Sequence, residues 1–282
     1  MLLEYRREHR YNLIEESKIE TECGGLYQAQ DLEMQRTVAV KCVEIEGNNQ
    51  REKLMLVQKA MSEVRALINL CEEDLSIPII YDAFYDENKS EFYIVMEWIK
   101  GKTLADWMKS PELEYLQWMI DLCDILAIMD RKHIYHKDIK PANIMITERK
   151  KLYLIDFNIS ISTPNLIEGT VNYKAPEMSI NSKYQGREKA DMFSIGVLLY
   201  EYYTGSVPVK TIDYAKNRSR GELEWDKYIQ PIEKNEKMDK SINEIIVKCM
   251  KLNPKQRYRN YSDLKNELIK AVKNIRWSQK KR

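Results

Sequence analysis

Cysteine is scarce in this chain of 282 residues, and no two of its five cysteines form a C-x-x-C pair. This spacing argues against a zinc site or a disulfide framework, and free thiols are typical of a reducing compartment. Long apolar runs are missing too: the longest, 195–200, is far short of the roughly 20 residues that a membrane helix needs. Charged residues interrupt the first ten positions, which argues against a signal segment. We therefore expect a soluble, cytoplasmic chain with no membrane segment.

An excess of charge of one sign is also absent. The chain has 45 Lys and Arg residues against 44 Asp and Glu, for a net charge of +1. This balance argues against nucleic acid as the main partner. The last stretch, 270–282, is basic, and its composition favours a solvated helix end and tail over a membrane or nucleic-acid anchor.

The most informative stretch is 136–143, His-Lys-Asp-Ile-Lys-Pro-Ala-Asn, with Asp156-Phe157 beginning thirteen residues after Asn143. Phosphoryl transfer needs a carboxylate to orient a hydroxyl and a cation to offset phosphate charge, and Asp138 and Lys140 fit these needs. It also needs hard oxygen ligands for magnesium, for which Asn143 and Asp156 are suited. The pattern therefore predicts a site for phosphoryl transfer.

This pattern, H-x-D-x-x-x-x-N followed by D-F-x, resembles the catalytic loop and metal motif of the protein kinases. Other kinase motifs occur in the expected order, and the resemblance covers roughly residues 11–269. These motifs are Val38-Ala39-Val40-Lys41, Glu63 in a periodic helix, Gly169-Thr170, Ala175-Pro176-Glu177, Asp191 and Arg257. The run from Leu26 to Asp31 before Val38 looks like that of bacterial Hanks-type Ser/Thr kinases.

The resemblance implies an α+β, bilobal protein kinase fold. Its N-lobe, residues 1–96, would be a small antiparallel sheet with one helix. A hinge at 97–102 would lead to a mainly helical C-lobe, 103–282, and the two lobes would form one catalytic domain.

The resemblance also implies roles for residues outside the loop. Lys41, with Glu63 as its ion-pair partner, would contact the alpha and beta phosphates of ATP. Asp191 would brace the catalytic loop, and Glu177 would pair with Arg257. The implied ATP-binding residues are Gly24, Leu26, Ala39, Lys41, the gatekeeper Met96, the backbone of Glu97 and Ile99, Met145 and Ile155.

As cofactors the resemblance implies ATP and Mg²⁺, or Mn²⁺ in its place. Lys140, two residues after Asp138, favours serine or threonine over tyrosine as acceptor, so the implied partners are proteins carrying these hydroxyls. Self-association for autophosphorylation is a further implied interaction. In the activation segment, Thr170 would bond Asp138 and Lys140. The hydroxyls at Ser160, Ser162 and Thr163 are the candidate phosphorylation sites.

Three positions depart from the kinase pattern. The phosphate-covering loop should be G-x-G-x-x-G, but only Gly24, at the third position, is a glycine, and Ile19 and Thr21 occupy the first two. Since glycines let backbone amides approach phosphates, we expect weakened ATP binding. Lys137 replaces an arginine that grips a phosphorylated segment, which suggests little need for loop phosphorylation. Asn158 replaces the glycine of D-F-G, a change that asparagine tolerates.

Hydrophobic periodicity predicts the elements around these motifs. Strands are expected at 11–19, 25–30, 37–45, 79–85 and 92–96, and helices at 50–70, 113–132, 190–204, 241–252 and 261–275. Two short apolar runs, 144–146 and 152–155, predict a hairpin with Asn143 and Asp156 at its mouth.

Two other functions remain open. One is a pseudokinase-type scaffold that binds nucleotide, which the poor glycine loop favours and the complete set of catalytic residues opposes. The other is a small-molecule kinase of the aminoglycoside or choline type, which shares H-x-D-x-x-x-x-N but lacks the Gly-Thr and Ala-Pro-Glu motifs.

Overall fold

The computed structural model describes residues 10–21, 24–71, 73, 75–157, 172–178, 187–208 and 228–280, with the side chain of Glu63 outside this description. The chain divides into two compact units. The first extends to Lys100, and the second begins at Gly101. The assignment of 97–102 as a hinge stays a prediction.

The first unit is an antiparallel sheet with one long helix. Its strands are β1 (Tyr11–Leu13), β2 (Ile19–Thr21), β3 (Gly24–Asp31), β4 (Arg36–Glu44), β5 (Ile80–Asp86) and β6 (Glu91–Glu97), and its helix is α1 (Gln50–Cys71). The spatial order is β1-β3-β4-β6-β5, and β2 also pairs with β3. Both faces of the sheet are apolar. Val43, Phe92 and Ile94 pack with Ala60 and Val64 of α1, while Val38, Val40 and Val95 form a second cluster.

The strand predicted at 11–19 is wrong as a continuous element. It divides into β1 and β2, with a 3-10 turn at Glu15–Ser17 between them. The Ser17 hydroxyl accepts a hydrogen bond from the Gln28 amide at 2.8 Å and donates to the Ile14 carbonyl at 2.5 Å. This side chain takes the place of a ladder partner for β3, so the sheet tolerates the interruption.

A buried carboxylate at the end of β3 joins the start of β4 to the residue that precedes β1. The side chain of Asp31 is fully buried, and Arg10 contacts it through two nitrogens at 2.9 Å each. Arg36 approaches the same carboxylate at 3.4 Å. The hydrogen bond from Arg10 lowers the pKa of Asp31 from 3.8 to about 2, against the opposing effect of burial.

We expect the Asp31→Asn variant to lose roughly 1–2 kcal/mol of unfolding free energy at pH 7. Because the folded pKa lies below the unfolded one, this contribution is complete above about pH 5 and declines as the pH falls toward 2. Urea unfolding should show a difference in unfolding free energy between the parent and the variant that narrows by roughly half at pH 3. A difference that does not change with pH would contradict the lowered pKa assigned to Asp31.

The second unit is mainly helical. Its helices are α2 (Glu112–Arg131), α3 (Ala190–Thr204), α4 (Pro231–Lys234), α5 (Lys240–Cys249) and α6 (Tyr261–Lys280), and its strands are β7 (Gly101–Thr103), β8 (Ile144–Thr147) and β9 (Leu152–Leu154). The three strands form an antiparallel sheet. Helix α3 is buried from Ala190 to Tyr200, and α2 contributes Tyr115, Trp118 and Met119 to the core.

Two helix ends differ from the predicted ones by more than one residue. Helix α5 ends at Cys249 instead of 252, because Asn253 caps a separate 3-10 turn that begins at Pro254. Helix α6 continues to Lys280, five residues beyond the last buried apolar side chain, Ile275. No glycine or proline interrupts this segment, so backbone hydrogen bonding extends past the apolar pattern.

The predicted α+β class, with a sheet-based first part and a helical second part, is confirmed. Among the helices that the structure describes, none has the length and apolarity required to cross a bilayer.

Candidate active site

A buried aspartate holds the loop that follows α2. The carboxylate of Asp191, at the start of α3, accepts the backbone N–H of His136 at 2.8 Å and that of Lys137 at 2.7 Å. Lys137 has a φ of 65°, a left-handed conformation that is uncommon for lysine. Burial raises the pKa of Asp191, while the two N–H groups favour its charged form. Asp191 thus stabilises a loop shape that Lys137 would not adopt alone.

His136 ties the loop to the segment after β9. Its Nε2 lies 3.0 Å from the Ile155 carbonyl oxygen, which can only accept, so Nε2 carries the donated hydrogen. Nδ1 is then the acceptor for the Asp138 amide at 3.4 Å. The ring also packs against Phe157, with 5.0 Å between centroids. His136 is therefore a structural residue of the loop.

Lys140 and Asn143 both contact the same oxygen of the Asp138 carboxylate. Lys140 Nζ lies 2.8 Å from Asp138 Oδ2, and Asn143 Nδ2 donates to the same oxygen at 2.9 Å. Asn143 Nδ2 also donates to the Asp138 carbonyl at 2.9 Å. Asp138 is 7% exposed, so these contacts lie largely away from bulk water. The loop thus presents a carboxylate and a cation at one point.

The β8–β9 hairpin brings Asn143 and Asp156 to the same end. Ile144 pairs with Leu154 in the hairpin, and the Ile155 amide donates to the Asn143 carbonyl at 2.9 Å. Asp156 follows with a φ of 57°, a conformation that aspartate tolerates better than most residues. The Asn143 side chain donates to Asp138 through its nitrogen in both of these hydrogen bonds, so its amide oxygen takes no part in them. The site therefore places an amide oxygen and a carboxylate at one hairpin mouth.

A buried ion pair secures the segment 172–178. Arg257 contacts Glu177 through Nη1–Oε1 at 2.5 Å and Nη2–Oε2 at 2.8 Å, and both side chains are fully buried. Arg257 also donates to the carbonyls of Lys189 and Lys251 at 2.9 and 2.8 Å. The guanidinium thus links this segment to the residue before α3 and to the connection between α5 and the 3-10 turn at 254–256.

Sequence reasoning missed a second attachment of the same segment. Tyr173 donates its hydroxyl hydrogen to Glu201 Oε2 at 2.7 Å, and Ser194 donates to the Tyr173 carbonyl at 2.8 Å. Both partners lie on α3, more than twenty residues away in sequence. Tyrosine and glutamate at such a separation carry no local signal, so only the fold reveals the pair.

In the first unit, the sheet register aligns the candidate phosphate-binding residues in one row. Ile19 pairs with Leu26, Leu26 with Lys41, and Lys41 with Ile94. Directly opposed residues share a face of a sheet, so the side chains of Ile19 and Lys41 lie on the same face. Thr21 lies on that face too, opposite Gly24. Glu63 belongs to α1, and its side chain lies outside the described residues.

Gly24 has a packing requirement of its own. Its φ is 139°, and a Cβ at this position would lie 2.3 Å from the carbonyl oxygen of Cys42 on β4. No side chain fits at that distance. The third glycine of the loop pattern is therefore required by strand contact, whether or not a nucleotide is bound.

The residues predicted to contact adenine lie on both units. In the first, Ala39 pairs with Met96, which also packs against the α1 side of the sheet. The Glu97 amide donates to the Ile79 carbonyl at 2.8 Å, so only its carbonyl remains a candidate for the nucleotide, and the Ile99 side chain is buried. In the second unit, Met145 is half-buried on β8, between buried Ile144 and Ile146.

Several predicted residues lie outside the described part of the chain. These are Ser160, Ser162, Thr163 and Thr170 of the activation segment, together with Asn158. Their roles stay predictions. Within the described residues, no cluster of three or more His, Cys, Asp and Glu side chains forms a metal site.

Comparison with known proteins finds relatives that are named as serine/threonine-protein kinases. A probable serine/threonine-protein kinase of Clostridium acetobutylicum is 29% identical over 280 residues, which cover 94% of this chain and 40% of that protein. The serine/threonine-protein kinase PrkC of Bacillus subtilis is 26% identical over 273 residues, covering 92% and 40%. PknB of Mycobacterium tuberculosis is 26% identical over 270 residues, covering 88% and 41%. The chain thus spans about two fifths of the length of these curated relatives.

Residues 20–270 also match the family model described as the protein kinase domain. The match includes the loop 136–143, the hairpin mouth and the buried pair of Glu177 and Arg257. Because the model matches most of the chain, this chain belongs to the protein kinase domain family.

Proposed function

We propose that the chain is a protein-serine/threonine kinase, which transfers the gamma phosphoryl group of Mg-ATP to serine or threonine hydroxyls of proteins. The proposal rests on one observation: Lys140 Nζ and Asn143 Nδ2 both contact one oxygen of the Asp138 carboxylate. A scaffold without chemistry has no need of this arrangement. Family membership and the names of the relatives support the same reaction.

In this proposal the loop acts mainly by positioning. Asp138 accepts a hydrogen bond from the substrate hydroxyl and aims its oxygen at the phosphorus, and Lys140 offsets charge on the transferred group. The contacts of Asn143 and Lys140 hold the Asp138 carboxylate in one orientation before substrate arrives. Preorganised groups of this kind need no rearrangement during the reaction.

The residues present fit a divalent cation and ATP. Magnesium prefers oxygen ligands, and Asn143 and Asp156 offer an amide oxygen and a carboxylate at the hairpin mouth. A cation held there would neutralise phosphate charge. We propose that Lys41 contacts the alpha and beta phosphates, paired with Glu63, and that Leu26, Ala39, Met96 and Met145 contact adenine.

The acceptor class follows from Lys140. A lysine two residues after the loop aspartate resembles the pattern of Ser/Thr kinases, and the names of the relatives above support the same acceptor class. We infer that protein serine and threonine residues, including residues of the chain itself, are the substrates.

The proposal is tested by measuring nucleotide binding and phosphate transfer on the same purified chain. Mg-ATP labelled in the gamma phosphate is supplied together with a generic basic protein, and binding is measured by calorimetry. The expected result is binding accompanied by transfer to protein. Binding without transfer by the folded chain would overturn the proposal in favour of a nucleotide-binding scaffold.

The scaffold is the second candidate function, and one observation favours it. Ile19 and Thr21 place side chains on the face of the sheet that also carries Lys41, where the family pattern has glycines. Ile19 is 56% exposed on that face. Side chains at these points keep backbone amides away from phosphates, which weakens nucleotide binding without removing a catalytic group.

We expect the double variant Ile19→Gly, Thr21→Gly to bind Mg-ATP more tightly, by roughly threefold to tenfold, because backbone amides would gain hydrogen bonds to phosphate. Isothermal titration measures the dissociation constant directly. Leu32→Gly, at an exposed turn position of the same unit, controls for a general loosening of the sheet. Unchanged or weaker binding in the double variant would show that Ile19 and Thr21 are not the cause.

A further inference from the structure

The C-terminal end of α6 carries an exposed indole on the side away from the core. Leu264, Leu268, Ala271 and Ile275 are buried along one side of the helix. Trp277 follows Ile275 by two residues, which turns it about 200° around the axis, to the opposite side. It is 61% exposed, the second most exposed of the large apolar side chains in the described part of the chain. More than half of this indole is therefore accessible at the surface.

Lysines flank this indole. Lys273 precedes Trp277 by four residues and Lys280 follows it by three, so both lie on the same side of the helix. Both lysines are exposed. We name Lys273, Trp277 and Lys280 the basic–indole face.

The charge of this end differs from that of the rest of the chain. Residues 268–282 contain six of the 45 basic residues and none of the 44 acidic ones. The remainder therefore carries a net negative charge. An anionic surface would attract residues 268–282 and repel the remainder of the chain, so the basic residues would face that surface.

We propose that the basic–indole face binds the surface of a bilayer that contains anionic lipids. Tryptophan prefers the boundary between headgroups and acyl chains, where its ring is apolar and its N–H stays hydrated. Lysines beside it reach anionic headgroups while their stems lie along the apolar boundary. The face lies flat on the membrane and does not cross it. The composition alone favoured a solvated tail, and the placement of Trp277 between two lysines changes that interpretation.

Other anionic partners fit this face less well. Single-stranded nucleic acid is bound by successive aromatic rings along a basic groove, whereas this face is a convex helix surface with one aromatic ring. An acidic peptide would need a groove or a sheet edge to hold its backbone. A planar anionic surface needs neither.

The experiment is co-sedimentation of the whole chain with vesicles of phosphatidylcholine, with and without phosphatidylserine. The expected result is binding only to vesicles with phosphatidylserine, weakened by added salt. Trp277→Ala should reduce the partition coefficient roughly tenfold, and Lys273→Ala, Lys280→Ala roughly thirtyfold.

Matched control variants distinguish binding by the basic–indole face from nonspecific adsorption to vesicles. Met55→Ala removes a side chain of similar exposure on α1, and Lys237→Ala, Lys240→Ala removes two exposed lysines elsewhere in the second unit. These controls should bind like the parent. The proposal is overturned by absent binding, by equal binding to neutral vesicles, or by a Trp277→Ala variant that binds as well as the parent. Tighter binding to single-stranded RNA, lost in the same variants, would also overturn it. Because the proposal does not depend on catalysis, a chain without kinase activity leaves it fully testable.

Discussion

The Asp138→Asn variant is expected to transfer phosphate about 10²- to 10⁴-fold more slowly than the parent, the range for removal of a positioned acid–base group. Asparagine keeps the size of the side chain but removes the charge that holds Lys140 at 2.8 Å. It also presents an amide where the substrate hydroxyl needs a strong acceptor. The loss should appear in kcat, because positioning acts in the transition state.

Binding of Mg-ATP should change by less than about threefold in the same variant, since Asp138 is not among the proposed nucleotide ligands. Asp124→Asn is the matched control: it removes a carboxylate from an exposed pair with Lys265 on the same unit. This control should retain full activity. An Asp138→Asn variant with more than a tenth of parental activity would contradict the role proposed for this loop.

The largest expected effect on stability is that of Arg257→Met. The substitution leaves the Glu177 carboxylate buried without its partner and removes donors from the carbonyls of Lys189 and Lys251. Breaking a buried ion pair from one side typically costs about 3–5 kcal/mol. Urea unfolding at pH 7 should therefore show a loss of this size.

A matched substitution at an exposed ion pair separates the effect of burial from the simple loss of a cation. Lys265→Met, which breaks the exposed pair with Asp124, controls for the removal of a cation and should cost less than about 1 kcal/mol. A loss below about 1 kcal/mol in Arg257→Met would contradict the structural role of the pair.

The arrangement of the loop 136–143 could be predicted from sequence because the residues involved are close together along the chain. Asp138, Lys140 and Asn143 lie within six consecutive residues, and Pro141 begins the short turn that fixes their spacing. The hairpin with Asn143 and Asp156 at its mouth follows from two short apolar runs. Helix α3 matches its predicted range because its apolar residues continue from end to end and Gly205 ends it.

Features that depend on distant contacts could not be predicted in this way. The bond of Tyr173 to Glu201 and the burial of Asp31 between two arginines join residues that no spacing rule relates. The break between β1 and β2 depends on one serine hydroxyl that meets the backbone of β3. The packing requirement at Gly24 comes from the Cys42 carbonyl on β4, a neighbour that the sequence does not indicate.

The measurement that tests the central claim most directly is identification of the side chain that receives the phosphate. The purified chain is incubated with gamma-labelled Mg-ATP and a generic basic protein, and the labelled protein is hydrolysed to its amino acids. We predict label on phosphoserine or phosphothreonine that disappears in Asp138→Asn and persists in Asp124→Asn. Label confined to phosphotyrosine, or the same label in Asp138→Asn, would contradict the proposal that this loop transfers phosphate to serine and threonine.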